Sequence, residues 1–466
     1  EKDHILPAEQ QRLVSLTGMF SGATSQASTM LNDVDIPNPE VTLADGTKVR
    51  LNQANYSKYR ASANVDDRRM VMEAYWNNQK QFVNTFAVLL DAAMKQQLYQ
   101  AQTHNYPDCL TAALYGNDID PKVYHNLIQT VRENLGPLHR LIKLRQRMLG
   151  LKEMTYGDVY ASAAKSVDKK YTFEEAQGLV TAAMQPMGPD YEAALQQAFA
   201  ERWIDVYPNK GKQSGAYSTG VYGVHPFVKM NYDGSYSNVS TLAHELGHAM
   251  HSYFSNKTQP YPMAGYPIFL AEVASTFNEN MLMHQMLKSE QDDALKLFLL
   301  DGYLERIRGT LYRQTLFAEF ELAMHQQAEQ GKTLTPDWLN QKYLDLTRTY
   351  YGQDQGVMRV DDYIQCEWSG IPHFFMNYYV FQYSTGIVAS MALSDMVLRE
   401  GPAGQARYLA FLKAGGSKFP LDTLRDAGID MSSPVPIKSA IQEFDRLVGE
   451  MEAIVARLEA KQAAAK

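Results

Sequence analysis

The stretch Asn238-Val-Ser-Thr-Leu-Ala-His-Glu-Leu-Gly-His-Ala-Met-His-Ser-Tyr-Phe254 carries two histidines four residues apart. Its apolar residues recur every three to four positions, which predicts a helix. On a helix, His244 and His248 project from the same side about 6 Å apart, a spacing that suits two imidazoles on one tetrahedral zinc ion. Glu245 lies beside them and is placed to act as general base toward a metal-activated water.

Two glutamates on the next apolar-patterned segment, 268–280, are candidates for a third ligand. Glu272 and Glu279 are seven residues apart, which is two helical turns or about 10 Å. A catalytic zinc takes three protein ligands and keeps a fourth position open. One of the two glutamates can therefore bind the ion while the other orients a ligand imidazole, and the spacing leaves the choice open.

A third histidine follows on the same helix, and we do not interpret it as a ligand. His251 lies three residues after His248. The extended three-histidine motif places its last histidine about six residues after the second, with a glycine between them. We therefore interpret His251 as a polar helix histidine.

Composition excludes several classes of protein. Lys and Arg number 44 against 52 Asp and Glu, for a net charge of -8, and the signs are mixed along the 466 residues. Without a basic stripe, no nucleic-acid partner is expected. No apolar run approaches the roughly 20 residues that span a bilayer, so no membrane association is expected either. The sequence does not indicate an oligomeric state.

The two cysteines, Cys109 and Cys366, are far apart in the sequence. This usage argues against a disulfide framework and against a cysteine-type zinc site. We interpret both as reduced thiols, which favours a cytoplasmic location.

Helical patterns dominate the chain, and β structure is predicted in two places only. In residues 41–51, apolar and polar residues alternate on both sides of Asp45-Gly46, and this pattern predicts a hairpin. Residues 221–232 predict a second strand, which Pro226 confines to a sheet edge or a bulge. The preceding Gly-rich and Ser-rich stretch, 211–223, is predicted to be a loop beside the active site. We predict a helical lobe with the hairpin at 1–150 and a catalytic region at 151–466.

Several runs of the sequence, taken together, resemble the thimet oligopeptidase (M3) superfamily of zinc metallopeptidases, and specifically its oligoendopeptidase F branch. Weaker similarity extends back to the start of the chain. The runs are Glu201-Arg-Trp-Ile-Asp-Val-Tyr207, Gly215-Ala-Tyr-Ser-Thr-Gly-Val-Tyr-Gly-Val-His-Pro226, His244-Glu-Leu-Gly-His-Ala-Met-His-Ser252, Ala271-Glu-Val-Ala-Ser-Thr-Phe-Asn-Glu279 and Ile371-Pro-His-Phe-Phe-Met-Asn-Tyr-Tyr-Val-Phe-Gln-Tyr383.

This resemblance implies a third zinc ligand, a fold and a class of substrate. Glu272 is implied as the third ligand of one zinc ion, with Glu279 as a carboxylate near the site. The implied fold is mainly α, a two-lobed zincin-like metallopeptidase with a small β-sheet near the metal helix and zinc on the floor of a deep substrate channel. Such a channel restricts substrates to short, unstructured peptides. The resemblance also implies a further helical segment before residue 1.

The predicted function is that of a zinc-dependent endopeptidase that hydrolyses internal bonds of short oligopeptides, with Glu245 as general base. The oxyanion of the tetrahedral intermediate needs a hydrogen-bond donor besides zinc. The resemblance points to His373 and to the tyrosines at 378, 379 and 383 for that role. Tyr379 and Tyr383 are four residues apart, so on a helix both can face one cleft.

Two other functions are compatible with the same metal helix. A zinc carboxypeptidase would add a basic or polar group that captures the substrate carboxylate. A non-catalytic, zinc-stabilised peptide-binding protein would need a closed site with four protein ligands, and Glu245 would then have no task.

Overall fold

The computed structural model describes residues 2–165, 167 and 169–464, and most of them are helical. The α-helices are α1 Ala8–Leu16, α2 Ala23–Met30, α3 Gln53–Tyr59, α4 Val65–Lys80, α5 Val83–Thr103, α6 Cys109–Tyr115, α7 Pro121–Glu133, α8 Gly136–Met148, α9 Phe173–Met184, α10 Gly188–Ala200, α11 Tyr236–Thr258, α12 Tyr261–Ala264, α13 Ile268–Ser289, α14 Asp293–Ile307, α15 Arg313–Glu329, α16 Pro336–Tyr350, α17 Phe381–Glu400, α18 Pro402–Ala414, α19 Pro420–Asp426 and α20 Val435–Ala464. The strands are β1 Glu40–Thr42, β2 Lys48–Arg50, β3 Ile204–Asp205, β4 Tyr217–Thr219 and β5 Phe227–Lys229. The prediction of a mainly α fold is confirmed.

The chain packs into two compact units, and each is assembled from separate segments. The predicted regions are continuous in sequence and do not coincide with these units, so the extent of the catalytic region remains a prediction. Helical periodicity locates helices but does not indicate which distant helices pack together. The first unit comprises residues 1–116, 135–163 and 312–381, and the second comprises residues 117–134, 164–311 and 382–466.

The first unit contains the predicted hairpin. Strands β1 and β2 pair antiparallel, with Val41 opposite Val49, and Gly46 in the turn has a φ of 86°. That left-handed conformation is readily adopted by glycine, which explains the turn signal in the sequence. The core of this unit also holds a buried Glu367, which is paired with Arg313 at 2.9 Å and accepts a hydrogen bond from Tyr343.

The second unit contains a three-stranded sheet in the order β3-β5-β4. β5 pairs parallel with β3 and antiparallel with β4, so the prediction that this strand lies at an edge or a bulge was wrong. The reason is that Pro226 precedes β5, so its missing N–H removes no ladder bond. The predicted loop 211–223 was also wrong in part, because β4 lies inside it.

The structure bears on two expectations, one about the cysteines and one about membrane-spanning helices. Cys109 and Cys366 are both buried and free, in agreement with the interpretation as reduced thiols. Within the described part of the chain, no helix is both long enough and apolar enough to span a bilayer. The cytoplasmic location remains a prediction.

Candidate metal centre

The centre is built on helix α11, whose start is fixed by its sequence. Ser235 is the N-cap, and its hydroxyl accepts a hydrogen bond from the backbone N–H of Asn238 at 3.3 Å. The apolar side of the helix is buried, including Val239, Leu242 and Leu246. Burial of this face leaves His244 and His248 on the part of the helix surface that faces Glu272 of α13. The strands β4 and β5 also pack against α11, which confirms the small sheet near the metal helix.

Helix α13 lies unusually close to α11, and Gly247 makes this possible. A Cβ atom at Gly247 would lie 2.5 Å from the carbonyl oxygen of Ala274 and 2.6 Å from the Cα of Ser275. Any other residue at this position would collide with the backbone of α13. The glycine between Glu245 and His248 therefore sets the distance at which α13 presents its glutamates.

The ligand atoms of three predicted residues converge between the two helices. The Nε2 atoms of His244 and His248 lie 3.5 and 3.7 Å from the same oxygen, Oε2 of Glu272. One ligand atom from each of the three residues lies within 4.8 Å of the others, as ligands around one ion require. Ser275 donates a hydrogen bond to Oε2 of Glu272 at 2.9 Å and so fixes that carboxylate.

Glu279 contacts the imidazole of His244 on the side away from Glu272, which is consistent with the orienting role that the spacing had left open. Its Oε1 lies 2.8 Å from Nδ1 of His244, and its Oε2 accepts a hydrogen bond from Ser240 at 2.8 Å. Oε2 also forms an ion pair with Arg306 of α14. Because a carboxylate accepts the Nδ1–H of His244, the lone pair of Nε2 stays free to face the other ligand atoms.

The ionisation of these groups suits a divalent cation. Burial lowers the pKa of His244, and it lowers the pKa of His248 to about 4. Both imidazoles are therefore neutral near pH 7, the form in which histidine binds a metal. Two neutral imidazoles and one carboxylate are a donor set that zinc accepts, and they leave further positions open. The residues present therefore fit a catalytic metal ion.

Glu245 lies next to this donor set on α11 and is itself 6% exposed. Burial raises the pKa of its carboxyl group, and the carboxylate of Glu272 raises it further. A raised pKa brings a carboxylate closer to the operating pH, which makes it a better proton acceptor and donor. This environment is consistent with the predicted role of Glu245 as general base.

The remaining predicted site residues are divided between the two units. His373 and Tyr379 lie in the first unit, where their rings stack with centroids 5.9 Å apart. Tyr383 lies on α17 in the second unit and is half-buried. His244, His248 and Glu272 all belong to the second unit, and the oxyanion roles of His373, Tyr379 and Tyr383 remain predictions.

His251 is not part of the ligand group, as predicted, but its surroundings differ from the expectation. It is fully buried; its ring stacks on that of Tyr266 with centroids 3.6 Å apart and lies tilted against that of Phe411 with centroids 5.2 Å apart. Within the described part of the chain, neither ring nitrogen has a hydrogen-bond partner. The interpretation as a polar helix position was therefore wrong, because the three residues from His248 to His251 rotate the ring toward α18.

Sequence reasoning missed three contributors to the centre. Ser240 lies four residues before His244, so helical spacing would have placed it on the same face. Gly247 was visible in the motif, but the need for close helix packing was not. Arg306 lies 27 residues after Glu279 on another helix, and no spacing rule connects the two.

The arrangement of His244, Glu245 and His248 on one helix is typical of the zincin-like class of metal-dependent peptidases. The comparisons with known proteins agree. The sequence profile of Peptidase family M3 matches residues 59–443, and the chain therefore belongs to this family of metallopeptidases.

Two curated relatives and one solved structure illustrate the similarity. The chain is 40% identical over 458 residues to Oligopeptidase PepF of Bacillus subtilis (strain 168), which covers 98% of this chain and 68% of the relative. It is 38% identical to Group B oligopeptidase PepB of Streptococcus agalactiae serotype III (strain NEM316), over 98% of this chain and 75% of the relative. The crystal structure of oligoendopeptidase-F from Enterococcus faecium superposes with a TM-score of 0.82 at 33% identity, over 98% of this chain and 76% of that chain.

Proposed function

We propose that the protein is a zinc-dependent endopeptidase that hydrolyses internal bonds of short oligopeptides. The observation that carries this proposal is the convergence of His244, His248 and Glu272 within 4.8 Å, with Glu245 buried beside them. The relatives named above are oligopeptidases, and the solved structure is an oligoendopeptidase, which supports the choice of short peptides as substrates.

In this proposal His244, His248 and Glu272 would hold one zinc ion. When bound, zinc supplies a Lewis acid that polarises a peptide carbonyl and makes a water molecule more acidic. Glu245 accepts a proton from the attacking water and passes it to the leaving amine. Its raised pKa serves both steps, because the carboxyl group must first accept the proton and then give it up.

Donors to the developing oxyanion are assigned from the family resemblance. We propose His373, Tyr379 and Tyr383 for this role, since an imidazole or a phenol can donate a hydrogen bond to the negatively charged oxygen. Loss of one oxyanion donor costs about 10²–10³-fold in kcat in other hydrolases, so each residue can be tested separately by substitution.

The sheet beside α11 offers a place for the substrate backbone. β5 is the central strand and is paired on both sides, whereas β4 is paired on one side only among the described strands. An extended peptide can add to such an edge through main-chain hydrogen bonds, which tolerate many side chains. We therefore propose β4, Tyr217–Thr219, as the edge that aligns substrate.

The test is the substitution Glu245→Gln, assayed on an internally quenched peptide with both ends blocked. We expect kcat to fall by about 10²–10⁴-fold, the usual contribution of a general base, while bound zinc is retained. The matched control is Glu192→Gln on the exposed face of α10, which should leave activity unchanged.

Identification of the products by mass spectrometry completes this test. An endopeptidase is expected to cleave the blocked peptide at internal bonds. A carboxypeptidase needs a free carboxyl end and would leave the blocked peptide uncleaved. Activity of Glu245→Gln near the wild-type level would overturn the proposed role of this residue.

A further inference from the structure

Glu279 is held by three contacts, and they come from two different helices. His244 and Ser240 reach it from α11 at 2.8 Å each, and Arg306 reaches it from α14. The contacts are divided between the oxygens, because His244 meets Oε1 whereas Ser240 and Arg306 meet Oε2. Arg306 therefore fixes the oxygen that does not touch the imidazole, and this aims the other oxygen at His244.

The position of Arg306 is better explained by its contact with Glu279 than by the hydrogen bonding of its own guanidinium group. Its Nε is buried and has no hydrogen-bond partner within the described part of the chain. An unpaired buried donor costs free energy, so a side chain placed only for its own stability would be expected to satisfy it. The planar guanidinium is instead turned toward the carboxylate.

A buried tyrosine supports Arg306 and also binds the helix that carries Glu279. The Arg306 guanidinium lies over the ring of Tyr303 at 5.2 Å, a cation–π contact. The Tyr303 hydroxyl donates to Oδ1 of Asn280 at 2.9 Å, and Asn280 in turn donates to Ser390 at 3.1 Å. Because Asn280 is adjacent to Glu279, the same tyrosine orients the cation and steadies its carboxylate partner.

We propose that Arg306 is a positioning residue of the metal centre, which acts through Glu279 to hold His244 in the orientation that binds zinc. This inference rests on the proposed function, since it assumes that His244 is a zinc ligand. The competing explanation is that Arg306 only ties α14 to α13. The two differ in outcome, because a mere tie affects folding stability, whereas a positioning residue affects metal affinity in the folded protein.

The experiment measures zinc affinity of the full chain after removal of metal, by competition with a chromogenic chelator. Substitution of groups that orient metal ligands typically weakens metal binding about 10–100-fold, and we expect this for Arg306→Met. Arg306→Lys should lie between Arg306→Met and the wild type, because lysine keeps the charge but not the planar guanidinium. The double variant Glu279→Gln with Arg306→Met should bind zinc no more weakly than Glu279→Gln alone, since Arg306 acts through Glu279.

The matched control is Arg308→Gln. Arg308 pairs with Glu305 at 2.9 Å at the end of the same helix and is buried, so its loss should lower stability without changing zinc affinity. As a second readout, the visible absorption of the cobalt(II)-substituted protein should change in Arg306→Met and not in Arg308→Gln. A purely structural tie would not produce that spectral difference.

The inference is overturned if folded Arg306→Met binds zinc within twofold of the wild type, or if its effect multiplies fully with that of Glu279→Gln. Should Arg306→Met fail to fold, Arg306→Gln takes its place, with weaker zinc binding expected and unchanged binding contradicting the inference. If the wild-type chain itself binds no zinc, the proposed function fails, and that result is distinct from failure of the role of Arg306 alone.

Discussion

His244 has two ring nitrogens, and they have different partners in the proposed metal centre. Nδ1 faces Glu279 at 2.8 Å and Nε2 faces Glu272 at 3.5 Å. The carboxylate on the Nδ1 side fixes which nitrogen carries the proton, and it thereby leaves the other free as a ligand. At the scale of single residues, the proposed metal centre therefore includes the carboxylate of Glu279, which contacts the imidazole of His244.

Residue spacing predicted part of this arrangement. The interval of four between His244 and His248 predicted their convergence, because it depends only on helix geometry. The choice between Glu272 and Glu279 depends on how α13 is placed against α11. Spacing could not supply that placement, and the resemblance to a known family implied the answer. Arg306 had no signal of either kind, because its link to Glu279 exists only in three dimensions.

The buried His251 leads to a prediction about how folding stability depends on pH. Burial lowers its pKa from 6.5 to about 3. As pH falls below about 6.5, the unfolded state binds this proton and the folded state does not, so stability falls until pH reaches about 3. The expected loss is about 1.4 kcal/mol per pH unit, or about 2 kcal/mol between pH 6.5 and pH 5.

The substitution His251→Phe tests this prediction, because phenylalanine suits the aromatic surroundings and does not titrate. The urea midpoint of the wild type should fall from pH 7 to pH 5, and that of the variant should fall less. Equal decreases in the two proteins would show that His251 does not stay neutral in the folded state.

At the scale of elements, the decisive contact is the one between α11 and α13. Gly247 lets the backbones meet, and the carboxylates of α13 reach the imidazoles of α11 across that contact. The apolar pattern around the motif predicted helix α11, and the apolar pattern of segment 268–280 predicted helix α13. Neither pattern showed that one glycine controls the distance between them, because a glycine in a helix pattern has no packing signature of its own.

Gly247→Ala should weaken both folding and metal binding. The added Cβ would meet backbone atoms at 2.5 and 2.6 Å, and backbone cannot move aside as a flexible side chain does. Overpacking of this kind costs about 1–3 kcal/mol, and the shift of α13 should also move Glu272 away from the histidines. The measurements are the urea midpoint and the zinc affinity.

The control is Gly178→Ala on α9, where nothing lies within 4 Å of an added Cβ. There alanine should stabilise the helix by up to about 1 kcal/mol, because glycine is a poor helix former. If Gly247→Ala were as stable as Gly178→Ala and bound zinc as tightly as the wild type, the close contact of α11 and α13 would contribute neither to folding stability nor to zinc binding.

The small sheet shows a different limit of sequence patterns. Alternation predicted a strand at 221–232, and β5 occupies only Phe227–Lys229 in its middle. Pro226 was taken to demand an edge, which would hold if it lay inside the ladder. It lies just before the ladder, and strand ends cannot be located that closely from alternation alone.

At the scale of the whole molecule, the three proposed metal ligands are all in the second unit, which is assembled from three separate segments of chain. Helix content was predictable, because it depends on local propensity and periodicity. The composition of the two units was not, since it depends on contacts between residues that are hundreds of positions apart. The predicted division at residue 150 stays a prediction.

The proposed activity depends on one zinc ion bound by two histidines of α11 and one glutamate of α13. The most direct test is the zinc content per chain, measured by mass spectrometry of the metal in purified protein after exhaustive dialysis. We predict one zinc per chain in the wild type and a large loss of zinc in Glu272→Ala. A wild-type chain without stoichiometric zinc, or a Glu272→Ala variant that keeps all of it, would contradict the assignment of the metal centre.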